Sequence, residues 1–136
     1  MPYDAKGQRS KRGLQIAILL LAAIPTAAGA AGCALGPGFL SLQEPWPADL
    51  DSHFRFLSGI FVVIGLGFYS CLRGIERKTR RFRTLAGLVW AGGLARLLSL
   101  TIAGAPSLPH LAGLGMELLV VPGLVLWQSA VARPTT

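Results

Sequence analysis

The sequence predicts an all-α integral membrane protein, a four-helix bundle of up-down-up-down topology with both termini cytoplasmic. Three observations predict it. The apolar residues fall into four long blocks, residues 14–35, 54–72, 85–104 and 111–131, each near the roughly 20 residues that cross a bilayer core as a helix. The segments between the blocks alternate in charge along the chain. The links are short, which favours antiparallel neighbours in sequence order.

Composition sets the frame for these blocks. The chain has 136 residues, of which 52% are hydrophobic and 14% charged, against about 25% charged in an average soluble domain. Four spans with short links leave almost no chain for a soluble domain. The expected organisation is a basic cytoplasmic segment at residues 1–13, one four-span domain at 14–131 and a cytoplasmic tail at 132–136.

The net charge of +7 is placed as a membrane protein places it. Lys6, Arg9, Lys11 and Arg12 precede the first block, Arg73, Arg77, Lys78, Arg80, Arg81 and Arg83 separate the second and third, and Arg133 follows the fourth. The other two links carry no Lys or Arg, and the first of them holds Glu44, Asp49 and Asp51. This is the positive-inside pattern. It points to a cytoplasmic location of both termini, and to membrane lipids rather than nucleic acid as the partners of the basic segments, since such segments attract anionic headgroups.

Block one opens with bulky aliphatics and closes with small residues. Gly29 with Cys33, and Gly32 with Gly36, stand four apart on one face, a spacing that lets another helix approach closely. Pro25 removes a backbone donor and predicts a kink. The run AAGAAGCALG also admits a reading as a cleaved signal, or as a lipidation site at Cys33 that would turn the amino end outward. The length of the apolar run favours a retained helix. Cys33 and Cys71 lie near opposite membrane faces, beyond disulfide reach, and are read as packed small residues. The link GPGFLSLQEPWPADLDS has three prolines and predicts a turn rather than a helix, with Phe39 and Trp46 at the interface. RGIERKTRRFR forms the inner link and GAPSLPH the second outer one. Block four carries Pro122 and ends with Trp127 and Gln128 at the inner interface.

Arg96, in the stretch GGLARLLSL, is a costly residue for a membrane span: about 2.5–3.5 kcal/mol near the bilayer centre on insertion scales. It stands eight residues before Gly104, and Glu117 eight residues after Pro109. Both counts give a depth of about 12 Å below the outer boundary. A cation and an anion on consecutive antiparallel helices thus reach one level, where a pair recovers much of the cost. Gly92 and Gly93 flank Arg96 on its helical face, and Gly113 flanks Glu117. Arg55 lies at the outer end of block two. The expectation is a polar cluster in the outer half of the bundle, with Arg55, Arg96 and Glu117 at its centre and Asp51, His53, Ser99 and His110 nearer the surface. No metal site is expected, because nothing in the spacing of His53 and His110 demands one. No cofactor is expected, because nucleotide and haem motifs are absent.

DSHFRFLSGIF, ERKTRRFR, GGLARLLSL, the Gly104–Pro106 turn and Glu117 together resemble the small bacterial membrane proteins grouped as domain of unknown function family 4345. The resemblance covers about residues 14 to 130. It implies four spans and no established activity. In that pattern the position of His53 is often a small aromatic residue or His, which weighs against His53 as a ligand.

Three functions are compatible with these residues. The first is a non-enzymatic structural or accessory membrane protein, alone, as a homo-oligomer or in a larger membrane complex, in which the charges satisfy one another. The second is a protein that binds or modifies a lipid or amphipathic ligand through Glu117 and Arg96. The third is a small dimeric transporter, ranked last because the inner halves of the blocks lack charges. The absence of any nucleophile motif places the first ahead.

Overall fold

The computed structural model describes residues 5–132. Its described part contains four helices and no strand: α1 Ala5–Leu35, followed by a 3-10 turn at Gly36–Leu40, α2 Ala48–Leu72, α3 Thr79–Ala103 and α4 Leu108–Ala132. All four are long and apolar enough to cross a membrane, which makes this a multi-pass membrane protein. Large apolar side chains face outward, among them Ile102, Leu108, Leu119 and Leu126, each more than 70% exposed. A water-soluble domain buries such residues, so an apolar exterior of this extent calls for an apolar surrounding. Arg133 and most of the expected tail, like residues 1–4, lie outside the described residues.

The helices begin before the apolar blocks do, for local reasons. α1 takes in residues 5–13, which belong to the basic segment ahead of the first apolar block. Lys, Arg and Gln there are good helix formers. α2 starts with Asp49 and Asp51 in its first turn, where carboxylates suit the positive end of a helix. α4 starts with Pro109 in its first turn, where the missing N–H costs nothing. Two helices stop at glycine. Gly36 (φ +57°) follows α1 and Gly104 (φ +86°) follows α3, conformations that other residues adopt reluctantly.

The chain divides into two compact units, Ile16–Leu72, and Met1–Gln15 with Arg73–Thr136. In the first, α1 and α2 meet along the small residues of α1 and run in opposite senses. Thr26 and Ala22 face Gly65, Gly29 faces Ser58 and Val62, and Gly32 faces Ser58. A methyl group on Gly29 would lie 2.6 Å from the Ser58 carbonyl oxygen and 2.7 Å from the Val62 nitrogen, so the two backbones touch there. The hydroxyls in this seam are satisfied within their own helices: Thr26 donates to the Ala22 carbonyl (2.8 Å) and Ser58 to the Phe54 carbonyl (2.7 Å).

In the second unit α3 and α4 pair, again in opposite senses. Buried positions on α3 are Phe82, Ala86 and Gly93, and on α4 Glu117, Leu124, Gln128 and Val131. The steps of three, four and seven mark one seam on each helix. Two of the four buried residues on α4, Glu117 and Gln128, are polar.

Candidate functional site

Within the second unit α3 carries Arg96 and α4 carries Glu117. The backbone of α4 is not regular there. Residues Met116–Val120 form a π-helical turn, in which the Val121 N–H donates to the Met116 carbonyl five residues back. Pro122 comes next. A proline in a helix lacks the N–H and its ring crowds the carbonyl four residues earlier, and the wider turn just before it relieves that crowding. Such turns are frequent at functional positions. Glu117 sits in this turn and is buried.

The Arg96 Nε stands 3.2 Å from Glu117 Oε1. The arginine side chain is 38% exposed and the glutamate side chain 11%. Gly93, one turn before Arg96, makes the approach possible: a methyl group on it would lie 2.9 Å from the Glu117 Cβ and 2.8 Å from a Leu118 methyl. Gly92 and Gly113, which helical spacing also places beside the two charges, have no neighbour within 4 Å of such a methyl group. The second carboxylate oxygen, Glu117 Oε2, is buried and has no hydrogen-bond partner among the described residues.

Arg55 and Asp51 form their own pair in the first unit. Arg55 Nε donates to Asp51 Oδ2 (2.8 Å) and Nη2 to Oδ1 (3.1 Å), the two-point geometry that suits a guanidinium to a carboxylate. Arg55 Nη1 donates to the Cys33 and Ala34 carbonyls, which belong to the last turn of α1 and have no partner inside that helix. Trp46 Nε1 donates to Asp51 Oδ1 (3.3 Å). The hydrogen bonds of Arg55 therefore serve the end of α1. Phe39 packs on Phe54, ring centres 6.5 Å apart. Of the remaining sequence candidates, His53 and Ser99 are exposed, and His110 Nδ1 is 2.9 Å from Ser107 Oγ. Cys33 donates weakly to the Arg55 carbonyl at 3.7 Å, and Cys71 is buried. Among the described residues no three His, Cys, Asp or Glu side chains stand together as metal ligands do.

A second polar set, which hydropathy did not single out, joins the other end of this unit. Gln128 is fully buried. Its amide nitrogen donates to the Ile75 carbonyl (3.0 Å) and to Thr79 Oγ1 (2.8 Å), tying α4 to the start of α3. Trp127 Nε1 donates to Ser10 Oγ (3.0 Å), and Arg83 donates to Ser129 Oγ (2.9 Å). Lys11 Nζ lies 2.9 Å from Glu76 Oε2. The available signal was the spacing: Gln128 follows Glu117 by eleven residues, three helical turns, and shares its face.

Burial by itself would raise the Glu76 carboxyl, but its own backbone N–H, Lys11 and Arg77 together hold it below the ordinary glutamate value of 4.5. A carboxyl group lowered by folding stabilises the fold above its unfolded value, and that contribution is lost as pH falls through the folded value. Glu76→Gln is therefore expected to flatten the loss of thermal stability on acidification below about pH 4.5, with an effect of about 1 kcal/mol or less. Melting in detergent at a series of pH values reads this. An unchanged acid slope in the variant would remove Glu76 from the account.

A family model described as Domain of unknown function (DUF4345) matches residues 13–128. No curated protein matches the chain, and no solved structure does.

Proposed function

The chain belongs to the DUF4345 family, and from that premise we propose that it is a non-enzymatic structural or accessory protein of a bacterial inner membrane. Its four spans run up-down-up-down and both ends face the cytoplasm. The basic amino-terminal segment and the basic link between α2 and α3 support that orientation, as does the acidic link before α2. The observation that carries the structural role is the Arg96–Glu117 contact of 3.2 Å seated over Gly93. Paired charges on facing helices fix register, because a slip of one turn leaves both unpaired in an apolar medium. The test is a double-mutant cycle on unfolding in detergent. Arg96→Leu combined with Glu117→Leu is expected to lose less than the two single losses added. Additive losses would refute the pairing.

A second reading, binding of an amphipathic ligand, draws on the unbonded Glu117 Oε2 and on the partial exposure of Arg96. Native mass spectrometry separates the two. A small molecule that accompanies the wild-type protein and is lost from Glu117→Gln favours the ligand, and its absence from both favours the structural role.

A further inference from the structure

The chain carries a second charged feature, at the start of α3. An open cavity of about 540 Å³ is lined by Arg77, Lys78, Arg80, Arg81, Thr84 and Leu85. Four of these six residues are cationic and none is acidic. The whole link with the first turn of α3, residues 73–83, holds six Lys and Arg against one carboxylate, Glu76. That carboxylate is engaged by Lys11 at 2.9 Å, with Arg77 at 3.9 Å from its other oxygen. The local field is compounded by the helix itself. α3 has no acidic residue in its first turn, and Lys78 gives it no side-chain cap. The positive end of a helix dipole and four cations thus converge on one open space, an arrangement that favours an anion.

What lies next to the cations narrows the anion. Leu85 lines the same cavity. Leu88, about one turn further along α3, is 54% exposed, and Gly92, one turn beyond it, faces open space. The surface therefore passes from guanidinium and ammonium groups to bare hydrocarbon within two turns. A free phosphate accounts for the cations and not for the apolar continuation. A molecule with a phosphate at one end and an acyl chain at the other accounts for both.

We infer that this cavity is a binding site for the phosphate headgroup of an anionic phospholipid, whose acyl chain lies along α3 past Leu85 and Leu88. The inference rests on the reading of the four helices as membrane spans. Arg77, Lys78, Arg80 and Arg81 hold the phosphate oxygens; the Thr84 hydroxyl beside them donates to the Arg80 carbonyl (3.0 Å) and lines the site without donating to it.

The test uses the full chain purified in detergent and titrated with phosphatidylglycerol or phosphatidylcholine, with bound lipid counted by native mass spectrometry. Wild type is expected to prefer phosphatidylglycerol, and Arg80→Gln with Arg81→Gln to weaken that binding about 25-fold, from about fivefold per cation removed near a membrane surface. Arg9→Gln with Arg12→Gln, an equal change of charge at the other basic segment, is expected to keep the preference. Equal loss in both double variants would overturn the site in favour of diffuse attraction. Displacement of the lipid by an equal concentration of inorganic phosphate would overturn the lipid in favour of a free anion. Should the Arg80 and Arg81 variant fail to fold, Arg77→Gln with Lys78→Gln carries the same expectation. Vesicles of phosphatidylcholine keep the two levels apart. Protein washed from them by alkaline carbonate refutes the membrane reading, and protein retained without any preference for phosphatidylglycerol refutes the headgroup site alone.

Discussion

Glu117→Leu is expected to be the most damaging of the single substitutions at the α3–α4 seam, at about 3 kcal/mol. Removing one partner of a buried ion pair costs about 3–5 kcal/mol because the other charge is stranded. Here the stranded group is the Arg96 guanidinium, which is 38% exposed and so falls at the lower end of that range. Arg96→Leu is expected to cost less. It leaves a carboxyl group, which can be carried as a neutral acid, whereas a guanidinium stays charged under any condition a protein meets. The order expected is therefore Glu117→Leu worst and Arg96→Leu milder, with the double variant better than Glu117→Leu. Unfolding followed by circular dichroism in a mixed-micelle denaturant series gives all three. An Arg96→Leu variant that is the least stable of the set contradicts this account of the seam.

Gly29→Val is expected to cost at least about 3 kcal/mol, the upper part of the range for overpacking. The first added carbon would lie 2.6 Å from the Ser58 oxygen and 2.7 Å from the Val62 nitrogen, both main-chain atoms. No rotamer change relieves such a clash, so α1 and α2 have to separate, and their seam of small residues opens with them. Gly92→Ala is the matching control. Nothing lies within 4 Å of its added carbon, and alanine is the better helix former by about 1 kcal/mol. A neutral or slightly stabilised Gly92→Ala beside a strongly destabilised Gly29→Val is the expected result. Equal effects at the two positions would mean that close approach of α1 to α2 contributes little.

The spans were legible because uninterrupted hydrocarbon over about 20 residues has few other uses. Their ends were less so. The apolar blocks stop where hydropathy stops, while the helices continue through Lys, Arg and Gln at the start of α1 and through Asp at the start of α2, residues that favour a helix without being apolar. The glycines show a similar limit. Gly92 and Gly93 both stand within a turn of Arg96, and spacing does not choose between them. Only Gly93 touches α4. Counting rise per residue places Arg96 and Glu117 level, but it assumes a regular helix and gives no hint of the π-helical turn before Pro122 that carries the glutamate. Nor does the sequence show where the Arg55 hydrogen bonds go: they reach carbonyls at the end of α1, whose position is written in the sequence by Gly36.

That capping arginine has a consequence for the order in which the chain is built. The Cys33 and Ala34 carbonyls accept from a residue 22 and 21 positions later in the chain. The cap is missing until the first turns of α2 have been made, so it belongs to the α1–α2 hairpin and not to α1 by itself.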